Sequence, residues 1–299
     1  MTDNEYLETK LEEQTLTPGS LALRDLEKRG DEVKALLERK LPESNPTIKP
    51  GGSRAKGTMI KVAYDLDIIC YFPRDDDDVG GTLKEIYETV EKVLAENYRV
   101  ERKPSALRLR EKAGDHPGMD FHVDVVPGRY IDGQSGDVFL YQHTAEKDRL
   151  MTNLEEHIDH VKRSGVIDAI RLMKLWRCRN GLRIKHFALE LLVIDLLSSM
   201  KGARLTNQLT FVWEKFRDES DSLSITDPAN ENNDLSDLLN AHVRSELSMV
   251  ARSTLNVIET SGWEAVFGKV EDSDGADQRK LRLQAAVASV TAPTRPWSA

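Results

Sequence analysis

Three aspartates have the residue type and spacing that most directly suggest chemistry in this chain. Asp65 and Asp67 alternate within an apolar run, so both side chains are expected on one face of a strand. Asp124 stands between Val123 and Val125 in a second apolar run. Carboxylates on one patch of an apolar sheet repel each other unless cations neutralise them, and hard divalent cations prefer oxygen ligands. The pattern therefore predicts a magnesium site.

An isolated Asp-x-Asp pair is more typical of a solvated edge strand than of a metal site. Two features favour the metal site here. The strand continues as residues 68–72, which are too apolar for a wet edge, and Gly51-Gly52-Ser53 lies shortly upstream. Glycines let a backbone approach a phosphate closely, and Ser53 adds a hydroxyl at the start of the following helical turn. We predict that this turn binds a nucleotide triphosphate beside the metal.

Three other patterns do not support a site. Thr58 stands where a P-loop requires lysine. The four aspartates at 75–78 lack the glycine and glutamate spacing of a calcium loop, which favours a solvated loop. His157 and His160 share a helix face without a third ligand, so we expect structural roles for them.

The elements that must position the aspartates fall into two lobes. Residues 20–41 have the period of one long amphipathic helix. Three runs have strand composition, namely 62–72, 106–110 and 119–126, and Thr82 with Glu85 predicts the capping box of a helix that covers the sheet. Five later segments favour helix: 154–163, 165–179, 185–200, 204–218 and 234–259. An α/β core followed by an all-α lobe is expected.

Composition narrows the class of protein. The net charge of −9 argues against a protein that grips long nucleic acid, because such binding needs a basic surface. Residues 187–200 are interrupted by Glu190 and Asp195, which excludes a membrane span there, and without a secretory signal a cytoplasmic protein is expected. Cys70 and Cys178 suggest buried thiols rather than a disulfide or zinc site.

The motifs resemble the nucleotidyltransferase superfamily with the polymerase-beta-like fold. Gly52-Ser53, Asp65-Leu66-Asp67 and Asp124 fill its signature. Within it, the chain resembles the CD-NTases, the bacterial cyclic-oligonucleotide synthases related to oligoadenylate synthetase and cyclic GMP-AMP synthase. The residues that carry this resemblance are Gly57-Thr58, Asp124-Val125-Val126-Pro127, Thr152-Asn153, Lys174-Leu175-Trp176, Phe187-Ala188-Leu189-Glu190-Leu191-Leu192 and Asp227-Pro228.

The resemblance implies a fold of several parts. N-terminal helices with a long spine helix occupy 1–45, and a mixed sheet with covering helices forms the nucleotidyltransferase core at 46–150. A helical lobe follows at 151–270, then a flexible C-terminal tail at 271–299. The active site is expected in the cleft between core and helical lobe.

The resemblance to the CD-NTases also implies roles for individual residues. Two Mg²⁺ ions, or Mn²⁺ in their place, would be bound by Asp65, Asp67 and Asp124; one activates the attacking ribose hydroxyl and the other stabilises the leaving pyrophosphate. Asp124 would bind the ion nearest the hydroxyl and help to remove its proton. Lys174 matches a lysine that contacts the triphosphate, with an exposed helix lysine as the alternative.

The nucleobase side is less specific. Phe187 matches an aromatic residue that stacks on a base, although it could equally belong to the core. Asn153 is a candidate for reading a base edge, since its amide is both donor and acceptor. The chain departs from its relatives at Leu154, where proline is frequent, and at His186, where a small hydroxylated residue is common.

Two arginines share the face of the second predicted strand. Arg108 and Arg110 could line a phosphate path, but alternating charges on a strand are more often solvated.

By resemblance, the protein is expected to condense NTPs, ATP among them, into a cyclic di- or oligonucleotide second messenger in the antiphage defence called CBASS. An effector would respond to the product rather than bind the enzyme. The alternatives are a template-independent RNA-tailing or CCA-adding enzyme, against which the acidic charge argues, and a catalytically silent nucleotide-binding relative.

The tail ending in Ala299 permits conjugation by a ubiquitin-activation-like enzyme, and a plain disordered terminus is the alternative.

Overall fold

The computed structural model describes residues 1–17, 19–113, 120–143, 148–231, 233 and 235–270. Its helices are α1 (Asp3–Glu13), α2 (Leu21–Lys40), α3 (Gly52–Lys56), α4 (Leu83–Leu94), α5 (Leu154–Lys162), α6 (Ile167–Asn180), α7 (His186–Leu196), α8 (Leu205–Asp218), α9 (Ala241–Ser261) and α10 (Trp263–Phe267). Its strands are β1 (Thr47–Pro50), β2 (Leu66–Phe72), β3 (Tyr98–Arg102), β4 (Leu107–Glu111), β5 (Asp120–Tyr130), β6 (Val138–Tyr141) and β7 (Arg149–Thr152).

The strands form one mixed sheet. Its order is β1-β2-β5-β4-β3, while β6 pairs with the end of β5 and β7 pairs with β6. Strands β2 and β5 are parallel neighbours, and the other pairs are antiparallel. The predicted mixed sheet is confirmed, and its parallel pair joins the two runs that carry the aspartates.

Helices α2 and α4 cover one face of the sheet. Alternate residues of β2, such as Ile68 and Cys70, are buried against Val33 of α2 and Ile86 of α4. Burying such side chains is the main stabilising term for this layer. The predicted capping box of α4 is present, because the hydroxyl of Thr82 accepts a hydrogen bond from the Glu85 amide at 3.2 Å and the Thr82 amide donates to the Glu85 carboxylate at 2.9 Å. The opposite face of β2 carries Asp67.

A second core lies within the helical lobe. Helices α6 to α10 pack around Trp176 and Trp213, both fully buried. Helix α1 joins this lobe through Leu7 and Leu11, and the hydroxyl of Tyr6 donates to the Gly268 carbonyl at 2.6 Å. The N-terminal helices are therefore shared, with α1 on the helical lobe and α2 on the sheet, and the boundary at residue 45 remains a prediction.

Several elements differ from the sequence-based expectations. The first predicted strand begins at residue 66 rather than 62, since residues 60 and 63 form an isolated bridge in a turn. Strand β5 extends past Pro127 to residue 130, and the short strands β1, β3, β6 and β7 were not predicted. Cys70 is buried as expected, while Cys178 is only partly buried.

The predicted tail at 271–299 falls outside the described residues, as does residue 119 at the start of the third predicted strand. Within the described ranges, no helix combines the length and apolar character that a bilayer crossing requires.

Candidate active site

A cleft of about 410 Å³ separates the aspartate-bearing face of the sheet from helices α6 and α7. Its lining comprises Gly52, Ser53, Lys56, Val62, Ala63, Tyr64, Asp65, Asp67, Arg108, His122, Lys174, His186, Phe187 and Glu190. The residues predicted for the site that line this cleft are Gly52, Ser53, Asp65, Asp67, Lys174 and Phe187. Asp124 is not among the lining residues but lies beside Asp67 in the strand pairing, and Asn153 is not among the lining residues either.

The parallel pairing of β2 with β5 brings the carboxylates together. Asp67 lies directly opposite Asp124 in the register of the two strands, and Asp65 immediately precedes β2. Side chains of directly paired residues lie on the same face of a sheet. Asp124 is 6% exposed and Asp67 is half-buried, so water screens their charges poorly.

Basic side chains bind two of the three carboxylates. Arg108 donates from Nε to Oδ1 of Asp124 at 2.7 Å and from Nη2 to Oδ2 at 2.9 Å. The same Nη2 lies 2.6 Å from Oδ2 of Asp65, and Lys103 Nζ lies 2.7 Å from Oδ2 of Asp124. His122 Nδ1 is 3.1 Å from Oδ1 of Asp65.

The environment separates the pKa values of the aspartates. Burial would raise the pKa of Asp65, but hydrogen bonds from His122 and Arg108 outweigh it and lower the pKa to about 2. Burial, and then the charges of Asp124 and Asp65, raise the pKa of Asp67 to about 6. A nearby cation would therefore relieve the repulsion that acts on Asp67.

The chemistry of this donor set fits divalent cations, because three carboxylates converge and one of them is repelled by the other two. Their geometry is not that of a formed metal cage. Among the described residues, no group of three or more His, Cys, Asp or Glu side chains has a metal-binding arrangement. The guanidinium of Arg108 lies between Asp65 and Asp124 instead.

The glycine turn connects β1 to α3 against the aspartate strand. The Gly51 amide donates to the Asp67 carbonyl at 2.8 Å. Gly52 has φ +52°, and a Cβ at this position would lie 1.6 Å from Oδ2 of Asp67. Only glycine can bring the backbone this close to the carboxylate. Ser53 follows in the first turn of α3, as the sequence predicted.

Two lysines from different lobes share one buried carboxylate. Lys174 of α6 is 2% exposed, and its Nζ lies 3.2 Å from Oε1 of Glu190 and 3.3 Å from the Thr58 hydroxyl. Lys56 of α3 lies 3.0 Å from Oε2 of Glu190, and Thr58 donates to Oε1 at 2.6 Å. The alternative of an exposed helix lysine is therefore wrong for Lys174.

The pKa values of this group reflect its burial. Burial would raise the pKa of Glu190, but Lys56 and Lys174 more than compensate and lower it. Burial lowers the pKa of Lys174 despite the attraction of Glu190. Neither Lys56 nor Glu190 was singled out from the sequence as a nucleotide-binding residue, since their pairing joins two lobes.

The predicted base-contacting residues have different positions. Phe187 is half-buried in the cleft wall, where its ring centroid lies 5.0 Å from that of His157 and 5.3 Å from Lys56 Nζ. Asn153 is the N-cap of α5: its side-chain oxygen accepts from the amides of residues 155 and 156, and its nitrogen donates to Asp137. Asn153 is absent from the cleft lining, so the structure does not bring it to the other site residues.

The two positions that depart from the relatives also lie at the site. Leu154 packs against the glycine turn, with a methyl carbon 3.6 Å from where a Gly51 Cβ would lie. His186 lines the cleft, and its Nε2 lies 3.1 Å from Arg177 Nη1. Burial, followed by Lys174 and Arg177, lowers the pKa of His186 to about 4.

Sequence reasoning missed Lys103 and His122 and left Arg108 open. His122 has φ +57°, which is unusual for a non-glycine residue, and lies where the pairing of β4 with β5 shifts register. Arg108 pairs with Asp124 immediately before that irregularity, whereas Arg110 lies beyond it and binds Glu101 at 2.8 Å in a more exposed pair. The alternation of side chains along its strand was the one sequence signal that pointed to Arg108. No sequence pattern indicated the backbone irregularity at His122.

No family model matches the chain, and no curated protein matches it. The mixed sheet, the parallel aspartate pair and the helical lobe define the polymerase-beta-like nucleotidyltransferase fold that the sequence predicted.

Solved structures with a similar fold include several CD-NTases. CdnC from Escherichia coli MS115-1 with ATP has a TM-score of 0.68 and 20% identity, covering 91% of this chain and 99% of its own. The Elizabethkingia meningoseptica CdnE cyclic dinucleotide synthase with GTP and Apcpp has a TM-score of 0.64 and 14% identity, covering 86% and 99%. The Bradyrhizobium diazoefficiens CD-NTase CdnG with GTP has a TM-score of 0.64 and 16% identity, covering 94% and 99%. At these identities the similarity shows the fold, and at that level the resemblance to the CD-NTases is confirmed.

Proposed function

We propose that this protein is a nucleotidyltransferase of the CD-NTase family, which condenses NTPs into a cyclic di- or oligonucleotide and releases pyrophosphate. The observation that carries the proposal is the position of Asp67 opposite Asp124, with Gly52 against the Asp67 carboxylate. A paired carboxylate site beside a glycine turn suits the transfer of a nucleotidyl group from a triphosphate.

The carboxylates would bind two divalent cations, Mg²⁺ or Mn²⁺, through Asp65, Asp67 and Asp124. Such ions neutralise triphosphate charge and lower the pKa of an attacking hydroxyl. Burial, and then the charges of Asp124 and Asp65, raise the pKa of Asp67 to about 6, and a bound cation would offset that repulsion. Asp124 is proposed to accept the proton of the attacking ribose hydroxyl.

The opposite wall of the cleft supplies positive charge. Lys56 and Lys174 share one carboxylate, so this cluster contains two basic side chains and one acidic side chain, Glu190. This cluster and Ser53 line the same cleft as Asp65 and Asp67. We assign this wall to the triphosphate of the bound nucleotide.

Phe187 is the proposed stacking residue for a nucleobase. Its half-buried ring lies in the cleft wall beside Lys56, within reach of a base whose phosphates lie near the lysines. ATP is a proposed substrate, in line with the ATP present in the CdnC structure.

The biological role is proposed from the resemblance to the CD-NTases. The product would act as a second messenger in antiphage defence and would be detected by a separate effector. Conjugation through Ala299 concerns the part of the chain outside the described residues and rests on the sequence resemblance alone.

Incubation with four labelled NTPs and Mg²⁺ tests the function. Small phosphatase-resistant products, with pyrophosphate released, are expected. Extension of an added RNA would instead indicate a tailing or CCA-adding enzyme. No turnover under Mg²⁺ or Mn²⁺, with nucleotide binding retained, would indicate a silent relative.

A further inference from the structure

Arg108 occupies the centre of the carboxylate cluster. Its guanidinium makes a bidentate pair with Asp124, at 2.7 and 2.9 Å, and a third contact with Asp65 at 2.6 Å. The Arg108 side chain is 14% exposed and that of Asp124 is 9% exposed. Charge-assisted bidentate contacts of this kind are strong in a site that excludes most water.

Basic side chains already contact the carboxylate oxygens that a cation would bind. Both oxygens of Asp124 accept from Arg108, and Lys103 adds a contact to Oδ2 at 2.7 Å. Both oxygens of Asp65 are also engaged, by Arg108 and His122. A divalent cation on these carboxylates would share their lone pairs with the guanidinium and lie close to its positive charge, so the cation and Arg108 compete for the pair.

We propose that Arg108 is an internal counter-ion that competes with divalent cations for Asp65 and Asp124, and that cation binding releases it from both. The inference takes the aspartates as metal ligands and therefore rests on the proposed function. Arg108 acts here as a positioning residue: it holds two repelling carboxylates in register before cations arrive. Without it, partly buried like charges would push the strands apart or take up a proton.

The register of the sheet makes the competition specific to Arg108. Arg108 lies directly opposite Asp124 in the pairing of β4 with β5, and the pairing becomes irregular immediately afterwards. Arg110 beyond the irregularity binds Glu101 instead. Lys103 touches only one oxygen of Asp124. The three basic residues therefore form a graded set for testing.

The test measures Mn²⁺ binding to the full-length, nucleotide-free protein by the EPR signal of free Mn²⁺. Arg108→Gln is expected to lower the Kd by at least about tenfold, because a competing charge-assisted pair is removed. Lys103→Gln, which removes an equal charge but fewer contacts, should give a smaller change. Arg110→Gln should stay within about twofold of wild type.

Two results overturn the proposal. If Arg108→Gln changes the Kd no more than Lys103→Gln, only net charge matters. If Arg108→Gln leaves the Kd unchanged or raises it, Arg108 does not compete with the cation. Failure of both wild type and Arg108→Gln to bind Mn²⁺, together with no product from NTPs under Mg²⁺ or Mn²⁺, would overturn the metal-dependent function as well, whereas equal binding with normal product formation would overturn the role of Arg108 alone.

A second measurement covers the case in which Arg108→Gln does not fold. In ¹⁵N-labelled wild-type protein, the Arg108 Nε–H resonance, assigned by its change in Arg108→Lys, should exchange slowly with solvent without metal. Saturating Mg²⁺ should speed this exchange at least about tenfold, because the hydrogen bond to Asp124 is lost. Exchange that is equally slow with and without Mg²⁺ would contradict release.

Discussion

Asp67 on β2 faces Asp124 on β5 across a parallel strand pair, and the repulsion between the two carboxylates contributes to the raised pKa of Asp67. Parallel neighbours place these residues side by side although they are far apart in the chain. This pair organises the candidate site, because the glycine turn, the basic residues and the helical lobe all lie against it.

The first prediction concerns Asp67. Asp67→Asn preserves side-chain volume but removes a ligand charge, so pyrophosphate release should fall by at least about 100-fold while the circular dichroism spectrum is retained. The matched control is Asp75→Asn in the exposed loop, which should keep wild-type turnover. Wild-type turnover in Asp67→Asn would refute the proposed mechanism.

A second prediction separates contact from backbone strain at Gly52. Gly52→Ala places a Cβ 1.6 Å from the Asp67 carboxylate and should reduce turnover by about 100-fold, because the turn or the carboxylate must move. Gly133→Ala is the control, since Gly133 also has positive φ, at +61°, but a Cβ added there would meet nothing within 4 Å. Both variants should lose about 1 kcal/mol of stability from strain. Equal turnover in the two variants would contradict the assignment.

The third prediction tests the buried carboxylate shared by two lysines. Glu190→Gln leaves Lys56 and Lys174 without a counter-charge and should lower the free energy of unfolding in urea by about 2 kcal/mol. Glu155→Gln breaks an exposed pair with Lys49 and should cost less than about 0.5 kcal/mol. Similar losses in both variants would show that the buried cluster contributes no more than a surface pair.

Stacking on Phe187 forms the fourth prediction. Phe187→Ala should raise the KM for the stacked nucleotide by about 10-fold or more, since one base stack contributes about 1–3 kcal/mol. Phe187→Tyr keeps the ring and should stay near the wild-type KM. A KM unchanged in both variants, with kcat also unchanged, would place Phe187 in a structural role.

The fifth prediction is a pH dependence at His186. Its pKa is lowered from 6.5 to about 4 in the folded protein, first by burial and then by Lys174. The unfolded chain therefore binds more protons in this range, so stability present above pH 6.5 is lost as the pH falls towards 4.

His186→Gln cannot be protonated and isolates this contribution. Wild type should lose about 1 kcal/mol more than His186→Gln between pH 7 and pH 5 in urea unfolding, after allowance for partial exposure. The same loss in both proteins would assign the acid sensitivity to other groups.

Agreement between sequence and structure is greatest where a pattern is local. The alternation around Asp67 and Asp124 predicted their common face, and Thr82 with Glu85 predicted the start of α4. Asn153 shows where motif matching is weaker, since its amide caps α5 instead of reaching the cleft. A capping residue and a base-reading residue have the same type, and only the position of its backbone tells them apart.

By itself, the sequence determined the strands that carry Asp67 and Asp124 and most of the longer helices, because these elements depend on neighbours a few positions away. Tertiary structure decided which charges meet. Arg108 reaches Asp65 and Asp124 through the register of three strands, and Lys56 and Lys174 reach Glu190 through the approach of two lobes. These contacts depend on the packing of segments far apart in the chain, which periodicity does not encode.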